Sequence, residues 1–487
     1  MGATGHSVRD QLVALVRRLW DSPTFTTWSS TATRFLSLLL VLPLLLRRLS
    51  PAEIAVWYLL STIIGLQTLA DLGFAPTFTR LVAYGMGGAK DATDVPTEAR
   101  SSVAQSAANW QLVEAVWSTM RVIYGRLTLL AVVALGALGT WALVRPMNAL
   151  ADPGRGWISW GAVLAVSATV LWANAYAAYL QGVNEIALLR RWEALTSIGA
   201  ILTSFVVLLA GGSLLSLVIA NQVWSLIGVF RSWQLCRIVA GGRFRLFQRR
   251  GIDRGVFGVA WPSAWRSGLG ISFSRGVLYA SGLIYAQVAE AAALSAYLLG
   301  FRFIQMISEL SQAPFYSKIP ALARLRSEGR FDEQLTVARR GMRLAYWTYV
   351  AGFVTVGLLA APILRAIGAN VPFADARLWA LLGLGFFIER YGAMHIQLYS
   401  TTNHIIWHVA NGVTGIVYLI VSLALLQLLG VYAFPVGVIV GYVGFYSWYA
   451  ARHVYRTFGV GFLDFERSVV LAPLALVLVY TSAVFLV

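Results

Sequence analysis

The groups in this sequence best placed to do chemistry are charged side chains that interrupt long apolar runs. Arg34, Arg266, Arg275, Arg302 and Arg390 fall inside such runs, as do Glu309, Glu389 and, near a run's end, Asp71. A charge at the centre of a bilayer costs about 3 kcal/mol on insertion scales, so each needs a protein or water-filled environment. Arg302, Gln305, Glu309 and Gln312 fall within about 80° of one helix face and make a polar stripe on an otherwise apolar helix. That stripe either lines an interior cavity or holds helices together through an Arg302–Glu309 pair. Glu389 and Arg390 adjoin, and share a broader polar face with Gln397 and Ser400, which favours internal neutralisation there. Arg266 and Arg275, nine residues apart, lie half a turn out of phase on a straight helix, although Gly268, Gly270 and Gly276 allow a bend. Arg126 and Arg231 also lie within runs, close to their ends, where they serve as anchors.

More arginines than carboxylates within the membrane suit an anionic ligand. Guanidinium grips phosphate oxygens in bidentate fashion and keeps its charge in apolar surroundings. Arg34, Arg275, Arg302 and Arg266 are therefore the expected substrate-binding set. Asp71, Glu309, Glu389 and Arg390 are the candidates for gating or ion coupling. For Asp71 and Glu309, near the ends of their helices, a clasp with arginines is an equal alternative. His395, His404 and His408 lie around one turn with no carboxylate close in sequence, so no metal site is expected. The single cysteine, Cys236, excludes an intramolecular disulfide and a cysteine metal cage. No nucleophile elbow, phosphate-binding loop or pair of catalytic acids stands out, so neither a catalytic residue nor a cofactor is expected.

These residues must be positioned by membrane helices. The chain has 58% apolar and 12% charged residues and a mean hydropathy of +0.69, far from the balance of soluble proteins. The excess of 38 basic over 21 acidic residues does not point to nucleic acid, because the bases cluster in short loops between apolar runs. Twelve spans of bilayer-crossing length are expected, with 469–487 as a thirteenth. The first is the least regular: its apolar run, Phe35–Leu46, must recruit the polar residues from Pro23 onward to cross. Arg34 then lies at mid-membrane; if the helix starts later, Arg34 is an interfacial anchor.

The expected fold is an all-α polytopic bundle of two six-helix lobes related by an internal repeat. L-A-D-L-G-F-A-P-T-F-T-R-L-V-A at 69–83 recurs as I-S-E-L-S-Q-A-P-F-Y-S-K-I-P-A at 307–321, a constant offset of 238 residues. Acid, proline, hydroxyl and base recur in order, and the stretch reads as the end of a helix used once in each half. With a two-residue gap, Arg275 falls on Arg34. The expected organisation is an N-terminal segment (1–22), an N-lobe (23–237), a basic linker (238–256), a C-lobe (257–455) and a C-terminal segment (456–487). With the N-terminus in the cytoplasm, 25 loop bases fall on that side and 6 on the other, which fixes this orientation. The first 22 residues lack an apolar core followed by a cleavage site, so no cleavable signal peptide is expected.

The mid-helix arginine of the polar first helix, P-L-L-L-R-R-L-S-P-A-E-I-A-V-W (43–57), L-A-D-L-G-F-A-P-T-F-T-R and Y-L-Q-G-V-N (179–184) follow in an order that resembles a known family. The chain resembles a polysaccharide-type (Wzx-like, O-antigen) flippase of the multidrug/oligosaccharidyl-lipid/polysaccharide exporter superfamily. The resemblance covers the whole layout and is specific mainly over 34–84 and its echo at 275–321. It implies two lobes around a central cavity, alternating access, and a polyprenyl-diphosphate-linked glycan as substrate, in a bacterial inner membrane. It further implies membrane lipids, a polysaccharide polymerase and chain-length machinery as partners. A cation-coupled drug antiporter would share the fold but favour carboxylates in its cavity. A membrane glycosyltransferase or polymerase would need a larger outer loop or an exposed acid or histidine cluster.

Overall fold

The computed structural model describes residues 37, 39–92, 107–248, 250–271, 273, 276–402, 404 and 406–486. Arg34 and Arg275 lie outside these residues, as does the side chain of Arg266. Every regular element described is helical. A helix over 39–48 is followed by α1 (Pro51–Leu66), α2 (Phe74–Met86), α3 (Trp110–Asn148), α4 (Pro153–Gly182), α5 (Ile186–Leu209) and α6 (Leu214–Ile238). Then come α7 (Arg254–Ile271), α8 (Val277–Tyr285), α9 (Ala291–Ser311), α10 (Ala313–Tyr316), α11 (Ile319–Ser327) and α12 (Phe331–Ala366). The chain closes with α13 (Ala376–Ser400), α14 (Trp407–Leu429), α15 (Ala433–Gly441), α16 (Ser447–Phe458), α17 (Phe462–Val469) and α18 (Leu471–Leu486).

Among the described residues, eight helical stretches are long and apolar enough to cross a membrane. The pair α17 and α18, bent by 64°, would make a ninth. The count of twelve plus one is not reached for identifiable reasons. The first expected span starts outside the described residues. The seventh is described only as α7, which carries Pro262, and α8, with 272, 274 and 275 between them outside the described residues. The two spans expected after 406, α14 and α15–α16, follow each other with only the Gly430–Tyr432 turn between them and pack side by side, so they count as one stretch, Trp407–Phe458. The tenth, α13, carries Glu389, Arg390, His395 and Gln397 and is less apolar.

The chain divides into two compact units. The first contains Met1–Leu49, Ile63–Trp141 and Leu150–Gly268; the second contains Ser50–Thr62, Ala142–Ala149 and Leu269–Val487. In the first unit an aromatic core joins Phe74 and Phe78 of α2, Trp117 and Tyr124 of α3, and Tyr176 and Tyr179 of α4. The segment expected as a basic linker is part of this packing. Phe244 lies edge-on to Trp117, with ring centroids 4.7 Å apart, and 5.1 Å from Tyr179. Its backbone is tied to α3 as well, through Asp253 N–H to Thr119 Oγ1 at 2.9 Å and Gln248 N–H to Glu114 at 3.2 Å. Burial of two phenylalanines and satisfied amides turn a charged connection into an ordered one.

The repeated stretch ends a helix in the first half, as expected, but not in the second. In the first half the span closes in a short 3-10 turn, Gln67–Asp71, left-handed Leu72 (φ 46°) and Gly73 (φ 73°) break it, and α2 is a new helix running to Met86. In the second half α9 passes through Gln312 into α10 and α11, so helical structure runs from Ala291 to Arg326. Pro76 and Pro314 both fall in the first turn of the new helix, where an amide would have no partner within the helix. Proline marks a restart here rather than a stop. The first-half break is also a packing site: a side chain at Gly268 would meet the Leu72 backbone carbonyl at 2.7 Å. Backbone cannot yield as a side-chain tip can. Gly268→Ala is therefore expected to destabilise the protein by about 1–3 kcal/mol, read as a lowered midpoint of thermal unfolding in detergent.

In the second unit, α12 and α13 pack on the inner face of α9, with Tyr349, Phe353, Trp379 and Phe387 fully buried. A π-turn, Tyr442–Tyr446, separates α15 from α16. At the connection from α11 to α12, hydrogen bonds from Arg324 and Arg330 hold the Glu328 carboxyl below its ordinary range. Because the folded value is the lower one, this contribution is present above a pH of about 4.3 and is lost as pH falls through the depressed value. Amide exchange at 326–331 should accelerate below that window in the native protein and not in Glu328→Gln.

Candidate functional site

The polar stripe expected on the eighth span exists, and its two faces have opposite environments. On α9, Tyr297, Ile304, Ile307, Ser308 and Ser311 are buried against the second unit's core. Arg302 and Glu309 are exposed on the other side, and Gln305 and Gln312 are half-buried between. Two charged groups on the open face of a bilayer-length helix cannot contact hydrocarbon at tolerable cost, so this face meets water. Among the described residues, no carboxylate lies within ion-pair distance of Arg302. A group that the sequence did not flag is Tyr58, whose buried hydroxyl has no hydrogen-bond partner among the described residues and feels the Arg302 charge. Among the described residues Arg302 is thus a cation without a carboxylate partner.

Glu389 and Arg390 differ in kind. Arg390 is 5% exposed and donates to Gln312 Oε1 at 3.1 Å and to Ser308 Oγ, while Glu389 lies 3.2 Å from its guanidinium. Tyr316, Tyr349 and Tyr446 surround the pair. The two adjacent charges neutralise each other within the unit. Arg390 fastens α13 to α9, and its donors are directed inward. Gln312 ends the stripe by serving this contact.

Asp71 sits in the first unit. Its carboxylate accepts from the Ala75 amide at 2.9 Å, in the first turn of α2, and from the Tyr124 hydroxyl. A carboxylate at a helix N-terminus satisfies an orphan amide and complements the helix dipole. Among the described residues its partners are an amide and a phenol and not the arginines of the alternative clasp. Asp71 and Glu309 match in sequence but not in environment.

One buried charge cluster in the second unit was not singled out by the sequence. Glu466 of α17 and His395 of α13 are both fully buried, with Glu466 Oε1 2.8 Å from His395 Nε2. Tyr455 donates to the same oxygen at 2.5 Å, and the Tyr391 and Tyr455 hydroxyls lie 2.8 Å apart. His395 Nδ1 faces the Tyr391 carbonyl at 2.8 Å. A carbonyl only accepts, so Nδ1 carries a hydrogen, and one further proton must lie between Nε2 and Oε1. Grouping the three histidines by sequence proximity concealed this, since His404 and His408 are exposed and apart from His395. Among the described residues no three His, Cys, Asp or Glu side chains are arranged to hold a metal.

No family model and no curated protein matches the chain in sequence. Solved structures do match in fold. An inward-facing multidrug resistance MATE family transporter of the MOP superfamily aligns with a TM-score of 0.63 at 11% identity, covering 88% of this chain and 95% of its own. The lipid II flippase MurJ, in an inward closed conformation, aligns with a TM-score of 0.60 at 12% identity over 95% of this chain and 99% of its own. The MATE multidrug transporter DinF-BH aligns with a TM-score of 0.53 at 12% identity, over 91% of this chain and 98% of its own. At such identities the likeness concerns the fold. The chain is a multi-pass, all-helical membrane protein with the fold shared by MATE transporters and MurJ.

Proposed function

We propose that the chain is a flippase for a polyprenyl-diphosphate-linked oligosaccharide, moving it from the cytoplasmic to the outer leaflet of a bacterial inner membrane by alternating access. The observation that carries this reading is Arg302, an exposed cation on a membrane-spanning helix with no carboxylate partner among the described residues. The fold shared with MurJ supports it. Sugars and a diphosphate cannot cross hydrocarbon unaided, whereas a polyprenyl tail need never leave it. The protein's task is to give the headgroup a polar path, and arginine supplies paired donors for phosphate oxygens. Arg34, Arg266 and Arg275 complete the proposed cationic set. A potential negative inside favours outward movement of an anion by about 2.3 kcal/mol per charge per 100 mV. Asp71, Glu309, Glu389 and Arg390 form the gating or ion-coupling set we propose, Asp71 at a helix start and Glu389 beside Arg390.

The test is flipping of a lipid-linked diphosphate glycan in proteoliposomes, read by its accessibility to a membrane-impermeant lectin. Arg302→Ala should slow flipping about tenfold or more, with partial retention in Arg302→Lys. Arg34→Ala and Arg275→Ala should stop delivery of the glycan to the outer leaflet while expression persists. Wild-type rates in all three alanine variants would overturn the assignment. A second reading, a cation-coupled multidrug antiporter, draws on the exposed carboxylate of Glu309 and the likeness to MATE transporters. It is preferred if Glu309→Gln abolishes efflux of an organic cation that Arg302→Ala leaves untouched.

A further inference from the structure

A groove of about 520 Å³ opens on the second unit between α13, the π-turn with α16, α17 and α18. Its walls are apolar, with Phe387, Val443, Trp448, Phe462, Leu471 and Leu474 prominent. The polar atoms in that wall are satisfied inward. Tyr391 and Tyr455 present their rings to the groove while their hydroxyls bond each other and Glu466. Ser447 donates to the Ile388 carbonyl at 3.2 Å. Two polar groups in the lining remain uncommitted, the exposed side chains of Arg452 and Arg456. Among the described residues neither has a carboxylate partner. They lie one turn apart on α16, where like charges repel unless an anion sits between them.

Val443, Trp448 and Phe462 also expose much of their apolar surface beside the groove. Such a surface on a membrane protein faces lipid, and unpaired guanidiniums beside it belong at headgroup depth. We propose that this groove is a binding site for one anionic glycerophospholipid, with an acyl chain against the apolar wall and the phosphate held by Arg452 and Arg456. Charge selects the occupant. A pair of cations is neutralised by a lipid of net negative charge, while a zwitterionic headgroup brings its own ammonium to the same site. The Glu466 cluster gives the site its shape by drawing the two tyrosine hydroxyls out of the wall.

The experiment uses the full chain purified in detergent, stripped of lipid, and titrated with phosphatidylglycerol or phosphatidylcholine under native mass spectrometry. One phosphatidylglycerol should be retained per chain at concentrations where phosphatidylcholine is lost. Arg452→Gln with Arg456→Gln should cut that retention about tenfold without changing helix content or unfolding temperature in lipid-free detergent. Leu474→Trp, which fills the groove and keeps both arginines, should also exclude the lipid. Equal retention of the two lipids, or undiminished retention in the double variant, would overturn the site. So would displacement of phosphatidylglycerol by an equimolar polyprenyl phosphate, which would assign the groove to a lipid-linked substrate instead.

Discussion

Arg390→Ala is expected to destabilise the protein by about 3–5 kcal/mol, the range for removing one partner of a buried ion pair. The cost arises from what stays behind. Glu389 keeps its charge with only 19% of its side chain exposed, and Gln312 and Ser308 lose their donor. Thermal unfolding in detergent should show a sharply lower midpoint for Arg390→Ala. The double variant Arg390→Leu, Glu389→Leu should recover much of the loss, because an apolar pair of similar volume leaves no uncompensated charge. If the single variant unfolds with the wild type, Arg390 does not fasten α13 to α9. Transport measurements gain a control from this, since loss of activity in Arg390→Ala would report folding and not substrate contact.

The second large effect concerns the C-terminal pair of helices. Glu466→Ala removes the common acceptor of His395, Tyr391 and Tyr455, all in or beside a fully buried site. A loss of about 3 kcal/mol or more is expected, and it should be local in origin. Limited proteolysis should cut between 458 and 471 in the variant under conditions where the native protein resists. A double-mutant cycle with His395→Ala should give a coupling energy of at least about 1 kcal/mol, because each side chain's main partner is the other. Additive losses would show that the imidazole and the carboxylate do not act as a pair.

Local patterns in the sequence foretold much of this molecule. Apolar run length foretold an all-helical membrane bundle, and the 3.6-residue period put Arg302, Gln305, Glu309 and Gln312 on one face. The adjacency of Glu389 and Arg390 was enough to foresee their pairing. What escaped was tertiary. Nothing in the order of residues says that Glu466, in the connection just before the expected last span, folds back 71 positions to His395. Phe244 and Phe247 look like part of a basic connection until α3 and α4 supply the aromatic wall they fill. The repeat misled in one respect. Sequence correspondence of Asp71 with Glu309 carried over to position along the helix, but the left-handed turn at Leu72–Gly73 gave Asp71 an amide to cap, and the second half has no such turn.

The π-turn at 442–446 sets the phase of everything that follows it. One residue more than an α-helical turn requires is accommodated there, and each helical residue is worth about 100° of rotation. Deleting Gly444 would let the helix close up as regular α structure and swing α16 by that angle relative to α15. Tyr455 would leave Glu466, and Arg452 and Arg456 would point away from the groove. A single residue in a stretch with no charge and no hydrogen-bonding side chain beyond two tyrosines therefore decides where both the buried cluster and the two cations face.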